Sequence, residues 1–256
     1  MLPNGNISQC RQPRKNSKPK KNRPFLKVGY ASKCKIKAFN LREMIDIVYK
    51  DKDIIVINKP AGIPVQTKNI SQRDCESEIK NMLSKEGVKN PYLAVINRLD
   101  QPVNGLVLFA LNKDAAAKLS ADLTSGKIDK YYKARVYGEF ETKEGTLEDM
   151  IYKDAKSNMS FVVKKDDVHF KDAKKAILEY REVNPGELEI KLITGRHHQI
   201  RVQLSNAGHP ILGDSKYGTK ESKETTESLG IGNLQLTAYR LEINHPRTGE
   251  RLKFDN

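Results

Sequence analysis

Residues 96–112 read INRLDQPVNGLVLFALN, and this stretch decides the fold around it. One apolar run ends at Arg-Leu-Asp, a turn containing Pro102 follows, and a second apolar run begins after Gly105. Because a proline biases the residue before it to extended backbone, a helix through Asp100 is not expected. We predict two buried strands joined by a loop that carries Asp100. From local sequence alone, Asp100 is best interpreted as a turn aspartate that satisfies nearby backbone N–H groups.

Outside this stretch, the pattern predicts more strands than helices. Strands are expected on both sides of a turn at residues 50–53, and at residues 131–138, 187–194 and 234–244. Helices are expected at residues 74–86, after the N-cap residue Asn112, and at residues 198–208. The polar residues 219–233 are interpreted as a mobile loop. Strands and helices do not alternate regularly, which favours the α+β class with a mixed, mostly antiparallel central sheet and flanking helices.

The formal net charge of +14 is concentrated at the N-terminus. Residues 1–42 contain 12 Lys or Arg and no Asp or Glu, so the rest of the chain is close to neutral. Residues 1–40 lack apolar periodicity, which predicts a basic, disordered arm before a folded domain at residues 41–256. Such an arm can attract RNA phosphates without reading their sequence, and the alternative is a solvated tail that has no partner.

The sequence disfavours several classes of protein. It contains no apolar run of about 18 residues and no apolar segment of a secretory signal, so we expect no membrane association. Cys10, Cys34 and Cys75 are widely spaced, which indicates reduced thiols in a cytoplasmic protein. No glycine-rich nucleotide-binding loop is present. The adjacent His197 and His198 point in different directions and form a poor chelate, so no metal site is predicted.

Two later segments are rich in polar groups. ITGRHHQIRVQL at residues 193–204 contains Arg196, His198, Gln199 and Arg201 within one or two turns. It is either a polar helix start with solvated arginines or an edge that contacts phosphate, with one arginine able to bind a carboxylate through two hydrogen bonds. AGHPILGDSKYG at residues 207–218 is typical of turns.

Together these segments resemble the RluA-type pseudouridine synthase family. The family's HRLD block is similar to NRLDQPVNG, and its GRTHQIRVHL block, which ends in GxPIxGDxxYG, is similar to GRHHQIRVQLSNAGHPILGDSKYG. VINKPAG, KYYKARVYG and LTAYRLEINHPRTGE resemble three further blocks. The resemblance covers about residues 41–256 in the family's order. It implies the pseudouridine synthase fold, with an active-site cleft across the sheet.

The resemblance implies an enzyme that isomerises uridine to pseudouridine in rRNA or tRNA after flipping the base out of its stack. No atom is gained or lost in this reaction, so no cofactor is expected. Asp100 would be the nucleophile, with attack on C6, attack on C1′ and a glycal route all left open. Arg201 would be its partner. Tyr132 would stack on the uracil, and its hydroxyl is a candidate for removing the C5 proton.

Further roles follow from the same resemblance. Arg98 would enter the space that the flipped base leaves. The other candidate substrate-binding residues are Arg196, His198, Gln199 and Lys59. Val107 and Leu192 either line the apolar pocket or belong to the core, and the core is favoured. The chain is expected to be a monomer that carries the basic arm in place of the S4-like domain found in many ribosomal members.

Four polar residues depart from the family's pattern. Asn97, Asn104, His197 and Thr237 stand where the family usually has His, Ser, Thr and His. We expect them to affect RNA choice more than catalysis. Two alternative functions are a non-catalytic RNA-binding or chaperone protein on the same fold, and a metal-dependent hydrolase. The hydrolase would use His197, His198, His209 and Asp214.

Overall fold

One mixed sheet organises the chain in a computed structural model that describes residues 45–69 and 71–256. The strands are β1 (Asp46–Lys50), β2 (Ile54–Lys59), β3 (Ala94–Val95), β4 (Asn104–Ala110), β5 (Asp129–Arg135), β6 (Glu144–Asp154), β7 (Met159–Val163), β8 (Lys174–Asn184), β9 (Glu187–Leu192), β10 (Leu236–Asn244) and β11 (Arg251–Asp255). The helices are α1 (Cys75–Lys85), α2 (Lys113–Thr124), α3 (Gln199–Asn206) and α4 (Lys220–Ser228), with a 3-10 turn at Phe170–Asp172. The predicted N-terminal arm, Cys10 and Cys34 lie outside the described residues.

The sheet has 11 strands in the order β1-β2-β4-β10-β5-β9-β8-β6-β7, with β3 paired to β4 and β11 paired to β10. Within the described ranges, β4 and β10 are the one parallel pair, and the other pairings are antiparallel. The prediction of a mixed, mostly antiparallel sheet with flanking helices is therefore confirmed. No helix in residues 45–69 or 71–256 is long and apolar enough to cross a membrane.

The two faces of the sheet pack against different elements. One face, here called the front face, carries Ile57 of β2, Val107 of β4 and Tyr132 of β5 in the largest core, which also includes residues of α1 and α3. The opposite, back face packs Leu106 and Leu108 of β4 against α2 in a second core. Side chains alternate along a strand, so β4 contributes residues to both cores and is buried on both faces.

Gly105 permits the parallel contact between β4 and β10. Its φ is +121°, and a Cβ at this position would lie 2.2 Å from the carbonyl oxygen of Ala238. Any side chain would force the two backbones apart, so glycine is required where these strands meet. This contact sits five residues after Asp100 and helps to fix the loop that carries it.

Several sequence predictions agree with the structure. Asp74 and Asn112 are the N-caps of α1 and α2, and each side chain accepts from a backbone N–H three residues later. Leu188, Ile190 and Leu192 alternate as the buried residues of β9, at 1%, 0% and 9% exposure. Local capping chemistry and period-2 burial were sufficient to locate these elements.

The prediction of a mobile loop at residues 219–233 is wrong. Residues 220–228 form α4. Its N-cap is Thr219, whose hydroxyl accepts from the Ser222 N–H at 3.2 Å. The Thr226 hydroxyl accepts from the Gly213 N–H at 3.1 Å and ties the helix to the turn before Asp214. The buried residue of this helix is Ser222. Because this residue is polar, the sequence shows no apolar stripe that would predict a helix. Capping and polar contacts hold α4 in place of apolar packing.

Other strands differ from expectation as well. Only Ala94 and Val95 of the apolar run at residues 92–97 form a strand, β3. Strands β6, β7 and β8 were not predicted, although together they extend one side of the sheet. Residues 245–250 lead from β10 to an additional strand, β11, which pairs with β10 and was not predicted either.

Candidate active site

Asp100 lies in the loop between β3 and β4. The Val103 N–H donates to its backbone carbonyl at 3.0 Å, which closes a turn around Pro102. The carboxylate takes no part in this turn, and the side chain is 27% exposed. Among the described residues, its hydrogen-bond donor is the guanidinium of Arg201. The local interpretation of Asp100 as a turn aspartate is therefore not supported.

Arg201 reaches Asp100 from helix α3. Its Nη1 lies 3.4 Å from Asp100 Oδ2, while its Nε and Nη2 each donate at 2.7 Å to an oxygen of Asp214. The Arg201 side chain is only 4% exposed. Because guanidinium carries five donors in a planar fork, it can serve both carboxylates at once. The structure brings Asp100 and Arg201 together, but Asp214 is the closer, two-bond partner.

Asp214 is the buried anchor of the site. Its Oδ1 also accepts from the backbone N–H groups of Lys216 and Tyr217, at 2.9 and 3.1 Å. Burial is the largest influence and by itself would raise the pKa of Asp214, but the hydrogen bonds and charge of Arg201 and the two backbone N–H donors together hold this pKa below its ordinary value. Sequence reasoning missed this role. The available signal was the GDSKYG block, which places an aspartate in a turn where its carboxylate can cap backbone groups.

His198 lies next to Asp100, and the residue is buried, with only 8% exposure. It precedes α3 with a left-handed backbone, φ 54°. Its Nδ1 is 2.7 Å from the hydroxyl of Tyr217, and its Nε2 is 3.7 Å from Asp100 Oδ2. Burial lowers the pKa of His198 to about 4, although the Asp100 carboxylate acts in the opposite direction. A neutral, buried imidazole in contact with Asp100 does not support the predicted role as a direct substrate ligand.

Tyr132 lies on the front face of the sheet and is 5% exposed. It pairs with Ile190 of β9 and Ala238 of β10. Burial raises the pKa of the Tyr132 hydroxyl, and the nearby Asp100 carboxylate raises it further. A phenol with a raised pKa keeps its proton at neutral pH.

Lys59 occupies a structural position. It is 0% exposed, and its ammonium donates to the backbone carbonyls of Pro60, Ile63 and Gln101 at 2.9, 2.7 and 3.1 Å. Burial lowers the pKa of Lys59 to about 8, while the Asp100 carboxylate acts to raise it. All three ammonium hydrogens are used, so the predicted substrate-binding role is not supported. Lys59 instead connects the loop at residues 60–64 to Gln101, the residue that follows Asp100.

Gln199 is likewise occupied by protein groups. It is 3% exposed, its Oε1 accepts from the Arg196 N–H and the Thr194 hydroxyl at 2.9 and 2.8 Å, and its Nε2 donates to Ile177 O at 3.0 Å. The predicted substrate-binding role of Gln199 is therefore not supported either. Its side chain orders the loop that leads into α3.

Three cationic side chains remain available for a ligand. Arg98 is exposed and makes no hydrogen bond or ion pair with a described residue. Arg196 is exposed and uses only its Nε, which donates to the Lys175 carbonyl at 2.8 Å. Lys130, which sequence reasoning did not single out, lies two residues before Tyr132 on the front face of β5, and burial lowers its pKa.

The departures from the family's pattern have local explanations. Asn104 and Thr237 contact each other, with the Thr237 hydroxyl donating to Asn104 Oδ1 at 2.9 Å, so two of the four substitutions form one pair. His197 stacks on His198 with ring centroids 3.7 Å apart, and its Nδ1 lies 2.9 Å from the Ser160 hydroxyl. Neither arrangement removes a contact of Asp100.

Asn97 bonds to the backbone of β4. Its Oδ1 accepts from the Leu108 N–H at 2.7 Å, and its Nδ2 donates to the Leu106 carbonyl at 3.3 Å. Asn97→Ala is expected to cost about 1–3 kcal/mol of unfolding free energy, because it leaves a buried N–H unpaired. Urea unfolding measures this cost. The exposed control Asn184→Ala should cost less than about 0.5 kcal/mol, and equal effects of the two would contradict this assignment.

A metal site built from His197, His198, His209 and Asp214 finds no support in the geometry. Asp214 is bound to Arg201, and His209 stacks on Phe140 with centroids 4.0 Å apart. Within the described part of the chain, the ligand-type cluster is Asp51, Asp53 and His245.

That cluster is internally paired. His245 Nε2 lies 2.8 Å from Asp51 Oδ2, and Arg247 donates to both oxygens of Asp53 at 2.5 and 2.7 Å. A cation would have to displace the Arg247 guanidinium. The cluster is better explained as the connection between the HPRTGE turn and the turn after β1.

A cavity of about 900 Å³ lies away from this chemistry. Asn104, Thr237 and Lys133 are among its lining residues, and Lys133 is on the face of β5 opposite to Tyr132. Asp100, Tyr132 and Arg201 do not line it. We place the chemistry at Asp100 because a partly exposed carboxylate meets a buried guanidinium and a buried tyrosine.

Comparisons with known proteins agree with this geometry. A family model described as RNA pseudouridylate synthase matches residues 53–206. An uncharacterized RNA pseudouridine synthase of Aquifex aeolicus is 33% identical, with 82% of this chain and 68% of that protein covered. The ribosomal large subunit pseudouridine synthase C of Haemophilus influenzae is 29% identical over 82% of this chain, which spans 64% of that protein. The tRNA pseudouridine synthase C of Yersinia pestis is 29% identical, with 82% and 84% covered.

Solved structures show the same fold. Human RNA pseudouridylate synthase domain containing 1 superposes with a TM-score of 0.66 at 20% identity, covering 83% of this chain and 82% of the human chain. Human RNA pseudouridylate synthase domain containing 4 gives a TM-score of 0.64 at 25% identity, covering 82% and 87%. The family model, the relatives and the fold agree with one another, and the chain belongs to the RNA pseudouridylate synthase family, in its RluA-type branch.

Proposed function

We propose that this chain isomerises uridines in rRNA or tRNA to pseudouridine, with Asp100 as the nucleophile. The observation that carries the proposal is the contact between the partly exposed Asp100 carboxylate and the buried Arg201 guanidinium, with Tyr132 on the same face of the sheet. A base flipped out of the RNA would approach the Asp100 carboxylate and stack on Tyr132.

The chemistry needs an ionised carboxylate. Whether Asp100 adds to C6 of uracil, attacks C1′ of the ribose or promotes a glycal route, the N1–C1′ bond breaks and a C5–C1′ bond forms. The C5 proton is lost and N1 gains a proton, so atoms balance without a cofactor. Arg201 stabilises the charged carboxylate because its guanidinium lies 3.4 Å away and is itself buried.

Exposed cations would guide the RNA. Arg98 follows the buried Asn97 and is two residues before Asp100, so its guanidinium can fill the gap left by the flipped base. Arg196 and Lys130 are further candidates, and they would contact phosphates of neighbouring nucleotides. An RNA-binding protein without catalysis has no need for a carboxylate coupled to a buried arginine, which favours the enzyme over the chaperone alternative.

Mapping of pseudouridines tests the proposal directly. Total rRNA and tRNA from cells that lack this chain are incubated with the purified protein, and pseudouridines are located by chemical mapping. A new pseudouridine at one or a few positions is the expected result. Appearance in rRNA or in tRNA identifies the substrate class, and no new pseudouridine in either RNA would refute the proposed activity.

The remaining proposals concern the context of the domain. We assign residues 41–256 to the catalytic domain and residues 1–40 to a basic arm that contacts RNA. We further propose a monomeric protein of the cytoplasm, where a thiol such as the free, buried Cys75 stays reduced.

Deleting residues 1–40 is expected to weaken RNA binding and its salt dependence while leaving turnover at saturating RNA nearly unchanged. The slope of log affinity against log salt should fall by about 0.7 for each phosphate contact that is lost on single-stranded RNA. Filter binding across a salt series measures this slope. A variant with the arm's Lys and Arg replaced by Gln keeps the length, and an unchanged slope in that variant would contradict the role of the arm.

A further inference from the structure

We propose that His198 is a positioning residue for Asp100, whose Nε2–H donates to the Asp100 carboxylate while Tyr217 fixes the imidazole tautomer. The proposal rests on the role of Asp100 put forward above. It assigns a task to two buried side chains that do not reach the substrate in our reading of the site.

The first step concerns the Tyr217 hydroxyl. The backbone N–H of Ser160 donates to the Tyr217 oxygen at 2.9 Å. That oxygen therefore already accepts one hydrogen bond, and its own proton is free to point elsewhere. The nearest acceptor is Nδ1 of His198 at 2.7 Å. Tyr217 thus donates to His198 and keeps Nδ1 unprotonated.

The second step concerns the other ring nitrogen. A neutral imidazole with an unprotonated Nδ1 carries its hydrogen on Nε2. This nitrogen lies 3.7 Å from Asp100 Oδ2, so the N–H faces a carboxylate. The opposite tautomer would place a nitrogen lone pair against a negative oxygen and is disfavoured. The distance is long for a hydrogen bond in the free protein, and a small movement of the partly exposed Asp100 side chain would close it.

The backbone supports the same arrangement. His198 adopts φ 54°, which is uncommon for a residue other than glycine. It makes no side-chain capping bond to α3, so capping does not explain the conformation. The conformation instead turns the ring towards Asp100 and Tyr217. Strained backbone of this kind occurs where a side chain must be aimed at a functional group.

The charge state is also suitable. Burial lowers the pKa of His198 to about 4, so the ring is neutral at pH 7. Arg201 supplies a positive charge beside Asp100 Oδ2, while His198 faces the same oxygen with a neutral N–H. Two donors directed at Oδ2 restrict the carboxylate to one orientation before the substrate arrives, which is how preorganised sites gain rate.

Ring-nitrogen NMR of the free protein with ¹⁵N-labelled histidine tests the tautomer without any substrate. The neutral Nε2–H tautomer at pH 7 is expected for His198, and Tyr217→Phe is expected to make the two tautomers mix. A cationic ring, or an Nδ1–H tautomer in the wild type, would overturn the proposal. This result is independent of whether the RNA activity proposed above exists.

Kinetics test the positioning role. Tyr217→Phe and His198→Leu should each lower kcat about tenfold or more with little change in KM, because a hydrogen bond to a charged group is lost. His198→Gln retains an N–H donor and should recover part of that rate, which a purely structural role would not produce. His209→Gln is the matched histidine control and should leave kcat unchanged. No recovery by glutamine, or an equal loss in the control, contradicts the assignment.

Discussion

Replacing Asp100 by alanine is expected to lower the rate of pseudouridine formation by at least about four orders of magnitude, as removal of a catalytic nucleophile does in other enzymes. No other carboxylate in the described residues combines partial exposure with the Arg201 guanidinium and the Tyr132 face. Since Asp214 is fully buried in its pairing with Arg201, it is not placed to substitute for Asp100. Release of tritium from RNA labelled at uridine C5 measures the loss.

The same substitution should leave the fold and RNA binding almost intact. Asp100 is 27% exposed, and its carboxylate meets Arg201 only at 3.4 Å, so little folding energy depends on it. Asp100→Asn keeps the shape of the side chain and should be as inactive as alanine, since an amide is not a nucleophile here. Asp166→Ala, an exposed aspartate elsewhere, is the control. Wild-type tritium release from Asp100→Ala would remove the nucleophile assignment.

The sequence was sufficient where local rules decide structure. Asn112 and Asp74 cap helices because their short side chains accept from backbone N–H groups, and the alternation of β9 reports one buried face. In contrast, α4 is held by Thr219 capping and a Thr226 contact, which produce no apolar period. Strand β11 is defined by its pairing with β10, which no short window of sequence reveals.

The same distinction applies to the predictions for the active site. Motif order located Asp100, Tyr132 and Arg201, and the structure brings these three to one face. Roles that depend on burial were not visible in sequence. Lys59 and Gln199 are polar residues in functional motifs, but both side chains form hydrogen bonds with backbone carbonyls or neighbouring side chains. Since sequence order gives no side-chain partner, a buried structural lysine and a substrate-binding lysine look alike.

Asp214→Asn is the second large expected effect, and it acts first on stability. The substitution removes one charge of a buried pair and leaves the Arg201 guanidinium, 4% exposed, without its main partner. Breaking a buried pair in this way costs about 3–5 kcal/mol of unfolding free energy. Arg201 should then be held less firmly near Asp100, so activity should fall as well. Urea unfolding at pH 7 and tritium release measure the two effects.

The pH dependence gives a further check on Asp214. Its pKa in the folded protein is below the ordinary aspartate value, so the unfolded chain binds the proton more readily. The stability that the carboxylate contributes is therefore complete above the ordinary pKa and is lost as pH falls towards the folded pKa. The difference in unfolding free energy between wild type and Asp214→Asn should shrink over this acidic range. A difference that stays constant with pH would contradict the pairing.

A double variant separates stability from catalysis. Arg201→Met combined with Asp214→Leu replaces the buried pair by apolar side chains, an exchange that is often neutral or stabilising. We expect most of the stability lost in Asp214→Asn to return, although the Asp214 bonds to the N–H groups of Lys216 and Tyr217 are not replaced. Activity should not return, because no guanidinium then stabilises the Asp100 carboxylate. Recovery of both properties would show that Arg201 serves the fold alone, whereas recovery of stability only assigns its Nη1 to the reaction.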